Sequence, residues 1–340
     1  MKKLRVLVLV REGLVPPDSI EGLTEEQIDE FRMEYNIVTA LEHMGHAWKA
    51  VGVYDDLTPL REALNEFKPH IVFMLLEEFH GVVTYDHAVV SFLELMRQKY
   101  TGCNPRGLLI SHDKGLSKKL LTYHRIPTPR FVVFPLKRAI RLHKKLEYPL
   151  LVKSATEDAS LGISQSSVVY DEMALIERVQ FMHEKVNTDA LVEEYIPGRE
   201  LYLGMLGNHR LQNLPLWEID FGSIEQDARI ATRKVKWDRK YQKKHGITSG
   251  LAKDLPPELE AAIIKIGKRV FRALEMSGYV RIDLRLRDDG RIYVLEANAN
   301  PDLTYGEDFA EAAETAGLKY EELIQRIINL GLSYHAPWQA

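Results

Sequence analysis

The stretch Val280-Arg281-Ile282-Asp283-Leu284-Arg285-Leu286-Arg287-Asp288-Asp289-Gly290-Arg291-Ile292-Tyr293-Val294-Leu295-Glu296-Ala297-Asn298-Ala299 decides the fold. Asp289-Gly290 between two alternating runs is a strong signal for a β-hairpin with a two-residue loop. With those two residues as the loop, Asp288 faces Arg291, Asp283 faces Glu296 and Arg281 faces Asn298. The same register sets Val280, Ile282, Leu284 and Leu286 across from Ala299, Ala297, Leu295 and Tyr293. One face is then apolar and belongs to the core, and the other gathers the polar groups.

Like charges directly opposite each other destabilise a sheet, so the Asp283/Glu296 pair requires a cation. A salt-bridged surface with Arg281 and Arg285 would supply it, and so would a bound metal. Two carboxylates and the amide oxygen of Asn298 form a hard, all-oxygen set suited to magnesium, which keeps water and nucleotide phosphates in its other positions; manganese fits such a set too. Residue types alone leave both readings open, because ion-pair networks gather the same side chains.

Outward from the hairpin, helical patterns run from Pro257 to Met276 before it and from Tyr320 to Asn329 after it. The polar, basic stretch 222–250 has little hydrophobic period, and one so long is either disordered or a functional lid. Nearer the amino terminus, apolar runs at Leu4 to Val10, His46 to Val53 and Ile71 to Leu76 alternate with helical patterns at Glu25 to Met44 and Leu57 to Phe67. That order makes parallel βαβ units. Turn residues cluster at Thr101-Gly102-Cys103-Asn104-Pro105 and mark a boundary. Beyond a lysine-rich helix from Asp113 to Tyr123, short strands (Phe131 to Phe134, Leu150 to Lys153, Ser167 to Val169, Ala190 to Tyr195, Leu201 to Leu206) alternate with helices (Leu136 to Leu146, Glu172 to Glu184). Three units are expected: an α/β unit over 1–105, a small α+β lobe over 106–200 and a larger lobe over 201–340.

At 340 residues, 45% apolar and 28% charged, the chain has the composition of a globular protein with sizeable cores. A net charge of −4 gives no general attraction to nucleic acid or anionic membrane. The run Leu4 to Val10 is too short to span a bilayer and has Arg5 and Arg11 at its ends, so it reads as a buried strand. A single cysteine, Cys103, excludes an internal disulfide and a thiolate metal cluster. A cytoplasmic protein acting on small molecules is expected, and a homodimer would be the commonest assembly.

The strings Val280-Arg281-Ile282-Asp283 and Leu295-Glu296-Ala297-Asn298-Ala299-Asn300-Pro301 resemble the carboxyl-terminal motif of the ATP-grasp enzymes, in particular the D-alanine-D-alanine ligase branch. Ser111-His112-Asp113-Lys114, Pro149 to Lys153, Ser160-Leu161-Gly162 and Val192 to Glu200 resemble other segments of that family in the right order. The resemblance spans about residues 70 to 305 and implies an ATP-grasp fold, with a parallel-sheet domain before two lobes that clasp ATP. It implies that Lys114 and Lys153 neutralise the triphosphate as flexible point charges, that Ser160 and Gly162 lie over the phosphates, that Glu193 and Glu200 read adenine and ribose, and that Tyr195 and Ile196 form an apolar hinge. Asp283, Glu296 and Asn298 become the magnesium ligands. Lys236, with Lys240 as its rival, becomes the lid lysine that reaches the terminal phosphate. The implied chemistry joins a carboxylate to an amine through an acyl phosphate, with Arg281 stabilising the tetrahedral oxyanion.

Departures from the family fall where substrates bind. The glycine- and serine-rich first loop is replaced by Arg11-Glu12-Gly13-Leu14-Val15-Pro16-Pro17-Asp18, leaving Glu12 as the candidate for the first substrate's ammonium. Asp158 and Ala159 replace a glycine and a serine in the phosphate loop. After the metal motif, Asp302 and Glu307 stand where the family has a glycine and the serine that meets the second substrate's carboxylate. A glutamate would repel a carboxylate, so a substrate other than D-alanine is expected, against the alternatives of a strict D-alanine-D-alanine ligase or a nucleotide-binding protein without chemistry.

Overall fold

A computed structural model describes residues 3–140, 146–156, 165–225 and 229–339. The amino-terminal part comprises β1 (Arg5–Arg11), α1 (Glu25–Asp29), α2 (Arg32–His43), β2 (Ala47–Val53), α3 (Thr58–Phe67), β3 (Ile71–Met74) and α4 (Asp86–Leu95). Its strands form the expected parallel sheet in the order β2-β1-β3. Val6, Leu7, Val8, Leu9 and Val10 are fully buried, since a parallel strand is covered on both faces. The helical pattern from Glu25 to Met44 is two helices: Thr24 and Gln27 close a capping box on α1, and Phe31, at φ −128°, leaves helical geometry before α2 begins.

Next come α5 (Pro105–His112), α6 (Lys114–Tyr123), β4 (Phe131–Phe134), β5 (Leu150–Ser154), β6 (Val168–Val169), α7 (Glu172–Phe181) and β7 (Ala190–Glu194). Their strands make an antiparallel sheet in the order β4-β7-β5-β6. The helix expected from Leu136 to Leu146 does not start: the chain turns there, with Lys137 at φ +62°, and 141–145 lie outside the described residues.

The last part holds β8 (Arg199–Gly207), β9 (Leu211–Asn213), β10 (Trp217–Asp220), α8 (Arg233–Trp237), α9 (Arg239–His245), β11 (Thr248–Leu251), α10 (Pro257–Ala273), β12 (Gly278–Leu286), β13 (Ile292–Ala299), α11 (Asp308–Thr315) and α12 (Tyr320–Ser333). Its sheet runs β11-β10-β8-β12-β13, with β9 on β8. The apolar faces of β8 and β12 pack Leu203, Met205, Val280 and Ile282 into a core shared with α10, including Ile263 and Val270. The stretch 222–250 is more structured than its weak period suggests. Thr232 caps α8, Asp238 caps α9, Gly246 ends α9 in the left-handed region, and Val235 is wholly buried. Among the described residues, no helix is long and apolar enough to cross a membrane.

The β12-β13 register agrees with the sequence at its functional end and departs from it at the tip. Val280, Arg281, Ile282 and Asp283 pair with Ala299, Asn298, Ala297 and Glu296 as expected. A bulge then shifts the ladder, so Leu284 and Leu286 pair with Val294 and Ile292 instead of Leu295 and Tyr293. Ile292 and Val294 are buried, whereas Tyr293 and Leu295 are half-exposed. The tip is also longer than two residues: the amides of Arg287 and Gly290 donate to Arg291 O and Arg287 O, at 3.0 and 2.9 Å. Only Gly290 has a positive φ (+80°), the pattern of a three-residue loop with a glycine bulge. The added turn residue and the added bulge residue cancel in register, leaving Asp283 opposite Glu296.

Where β12 begins, Gly278 has φ +75° and its missing Cβ would strike Gly102 O. Gly278→Ala combines left-handed strain with a backbone clash, whereas Gly290→Ala, also at positive φ, meets open space. In thermal unfolding, Gly278→Ala is expected to lower the midpoint by several degrees, at about 2 °C per kcal/mol for a chain of this size, and by clearly more than Gly290→Ala.

Candidate active site

Strands β5 and β7 of the four-stranded sheet face β8, β12 and β13 of the larger one across a cleft, lined on a third side by Ile230, Ala231 and Lys236. Of the residues singled out in the sequence, Lys153, Glu193, Tyr195, Ile196, Glu200, Lys236, Asp283 and Glu296 line it. Leu295 joins them because the bulge turns it to the same side as Glu296.

Glu193 is buried between two lysines. Lys118 Nζ lies 2.7 Å from Glu193 Oε2, and Lys153 Nζ lies 2.9 Å from Oε1 and 3.7 Å from Glu296 Oε2. Burial alone would push the Glu193 carboxyl up, but the two ammoniums overcome it and hold it below the usual range. The lysines respond in opposite directions. Burial lowers Lys118, which has Glu193 as its partner and Lys153 as a repelling neighbour. Lys153 is raised despite burial, because Glu193, Glu296 and Asp283 all favour its charge. Lys118 was not anticipated, although it stands one helical turn from Lys114 on α6. Lys114 is buried at the start of α6, where Asp113 caps the helix and the Lys114 amide donates to Ala155 O at 2.9 Å.

At the hinge, Tyr195 N donates to Pro149 O at 3.0 Å and Tyr195 Oη donates to Arg229 O at 3.1 Å. Glu200, two residues into β8, takes Arg285 Nη2 at 2.6 Å and Tyr202 Oη at 3.1 Å. Arg285 is 3% exposed and lies beside the rings of Tyr195 and Phe221, so it ties the hinge to the larger sheet. Alternation along β12 already put it on the face of Arg281 and Asp283.

The facing carboxylates have separate counter-cations. Arg281 embraces Asp283 with Nε at 2.8 Å and Nη2 at 3.0 Å, and Lys153 attends Glu296. Burial pushes the Asp283 carboxyl up; Arg281 and Lys236 pull it back, while Glu296 adds to the rise. Burial would lower Arg281, and Asp283 more than reverses that. The site fits a divalent cation by its chemistry. Asp283 and Glu296 retain lone pairs on hard oxygens, and Asn298, two residues beyond Glu296 on β13, has an amide oxygen of the same kind. Among the described residues no group of three His, Cys, Asp or Glu could by itself hold a metal ion; two carboxylates and an amide oxygen are a shell that magnesium would complete with water and phosphate.

Not every expected residue enters the cleft lining. Arg281 and Asn298 sit two ladder pairs beyond Asp283 and Glu296, Lys240 is exposed on α9, and Ser160 and Gly162 lie outside the described residues. Glu12 is exposed in a short 3-10 turn after β1.

Comparison with known proteins agrees with the fold. Residues 120–329 match the family model described as D-ala D-ala ligase C-terminus. The chain belongs to the D-alanine-D-alanine ligase family. It is 30% identical over 286 residues to a D-alanine-D-alanine ligase of Carboxydothermus hydrogenoformans, covering 80% of this chain and 85% of that one. It is 32% identical over 307 residues to an uncharacterized protein, y4sG, of Sinorhizobium fredii, covering 88% and 87%. In structure it is similar to the Bacillus anthracis D-alanine-D-alanine ligase complexed with ATP, with TM-score 0.74, 23% identity and 97% of each chain covered.

The buried Lys118-Glu193-Lys153 triad ties acid stability to the cleft. With its carboxyl held low in the folded chain, Glu193 contributes stability that is present above about pH 4.3, the ordinary glutamate value, and is lost as pH falls through the folded value. Urea unfolding between about pH 5 and 2 is expected to show that loss in the wild type. Glu193→Gln, which strands two buried ammoniums, should cost about 3 kcal/mol at neutral pH and flatten the acid limb.

Proposed function

We propose that this ligase-family chain binds ATP in the cleft and joins a carboxylate to an amine, with Asp283, Glu296 and Asn298 holding magnesium. The observation that carries the reading is the pairing of Asp283 with Glu296 across β12 and β13, in the lining of a cleft that also presents Lys153, Glu200 and Lys236. Tyr195 and Ile196 give the adenine an apolar slot, and Glu200, already oriented by Arg285, offers its remaining lone pairs to the ribose. Lys114 and Lys153 neutralise phosphate charge, and phosphate oxygens would compete with Glu296 for Lys153. Magnesium on the hairpin would spread the charge that develops during phosphoryl transfer.

The substrate carboxylate attacks the terminal phosphorus, forming a carbon-linked O–P bond as the bond to ADP breaks. The amine then attacks the acyl carbon and loses a proton, and inorganic phosphate leaves. Arg281, two residues from Asp283 on the same face of β12, is the donor for the tetrahedral oxyanion. Lys236, whose Nζ lies 5.9 Å from the Tyr202 ring centroid, enters the cleft from the lid helix α8 and meets the terminal phosphate.

Arg281→Ala is expected to lower ATP-dependent turnover by about 10² to 10³ in an ADP-release assay while magnesium-nucleotide binding stays within a few-fold. Unchanged turnover would remove Arg281 from the chemistry. Paired kinetics of Lys236→Ala and Lys240→Ala decide the lid assignment. The larger loss in kcat/KM for ATP is expected at Lys236, and the reverse order would move the role to Lys240.

A further inference from the structure

Tyr202 lies in β8, directly opposite Asp283 on β12. It is 3% exposed and is not part of the cleft lining, yet it meets three groups that the ligase reading uses. Over its ring, Arg281 Cζ is 4.9 Å and Lys236 Nζ 5.9 Å from the centroid. Its hydroxyl donates to Glu200 Oε1 at 3.1 Å. The ring is pinned on both sides: Leu201 and Leu203, its neighbours in β8, are wholly buried, and Glu200, which holds the hydroxyl, is itself held by Arg285 Nη2 at 2.6 Å.

Among the described residues, the hydrogen bonds of Arg281 both go to Asp283, from Nε at 2.8 Å and from Nη2 at 3.0 Å. Under the ligase reading Asp283 gives those same lone pairs to magnesium, so the guanidinium is contested at the stage when it must be aimed at the reacting carbon. A buried cation that loses its partner is costly. The Tyr202 ring offers a hold of another kind. Its face is negative through the π quadrupole and not through lone pairs, so it attracts a planar cation without taking an oxygen from the metal, and most strongly where water is excluded.

Resting on the ligase reading above, we propose that Tyr202 is a positioning residue whose ring face keeps Arg281 at the reaction centre when Asp283 turns its lone pairs to magnesium. The arginine changes partner without changing place. Lys236, near the outer limit of such attraction, is held less and leaves the ring for the terminal phosphate when nucleotide arrives. Through its hydroxyl, the same side chain sets the ring relative to Glu200, so the nucleotide end and the acyl end of the site share one support.

The test uses the full chain with Tyr202→Leu, which removes the ring, Tyr202→Phe, which removes only the hydroxyl, and mono-, di- and trifluorinated phenylalanine at the same position, which weaken the negative face stepwise at nearly constant shape. Hydroxamate formation from pooled carboxylic acids, ATP, magnesium and hydroxylamine reads turnover. Tyr202→Leu is expected to lower kcat by about ten- to thirty-fold, Tyr202→Phe to restore it to within a few-fold of the wild type, and the fluorinated series to fall steadily from the phenylalanine value. Calorimetry should show magnesium-ADP affinity unchanged along that series. A kcat that is flat across the fluorinated series, equal losses in Tyr202→Phe and Tyr202→Leu, or losses matched by ADP affinity overturn the proposal.

Nitrogen NMR of the arginine side chains reads the contact without turnover. The Arg281 Nε–H signal, assigned with Arg281→Lys, is expected to carry a ring-current shift that Tyr202→Leu abolishes and that survives saturation with magnesium and ADP. Loss of that shift on saturation overturns the proposal. If the wild type forms no hydroxamate, the ligase reading falls, and the spectra alone decide whether the ring holds the arginine.

Discussion

Asp283 and Glu296 are directly opposite each other on adjacent strands, and much of the molecule is arranged to make that repulsive pair tolerable. Arg281 answers Asp283 along its own strand, and Lys153 answers Glu296 from the other sheet. Because Lys153 also holds Glu193, and Glu193 holds Lys118, the hairpin's charge is linked through a chain of buried ions to helix α6. The two sheets therefore share one electrostatic system. Changes in the charge between them, such as the arrival of a triphosphate, are felt on both sides.

A second tie runs through the hinge. Arg285 joins Glu200, Gly198 O and Arg229 O, so the strand carrying the hairpin carboxylates also fixes the segment proposed to read the nucleotide. Burying so many ions is costly, and apolar replacements would often be neutral or stabilising. Their retention fits a cleft built to receive a highly charged ligand.

The functional end of the hairpin was legible because alternation and a turn signal are local. The tip was not, because Asp289-Gly290 serves both a two-residue loop and the last two positions of a three-residue one, and the run Val294-Leu295-Glu296 reads equally well with or without a bulge. Lys118 could have been found from its spacing to Lys114. The two short helices within 222–250 carry few apolar residues, so periodicity missed them, although Thr232, Asp238 and Gly246 marked their ends. The docking of the loop after β13 on α2, Leu303 on Met33 and Tyr305 on Asn36, gave no signal at all, because the segments it joins lie far apart along the chain.

The paired insertions in the hairpin, one residue in the turn and one at the bulge, also act as a slip joint. Ladder pairs between them, from Leu284 with Val294 to Leu286 with Ile292, are offset by one residue, while those beyond the bulge keep the alignment that sets carboxylate against carboxylate. A lineage that shortened the tip by one residue could preserve the Asp283/Glu296 pairing only by losing the bulge in the same step, and Leu295 would then leave the cleft for the core. Tip length and the shape of the cleft are thus inherited together.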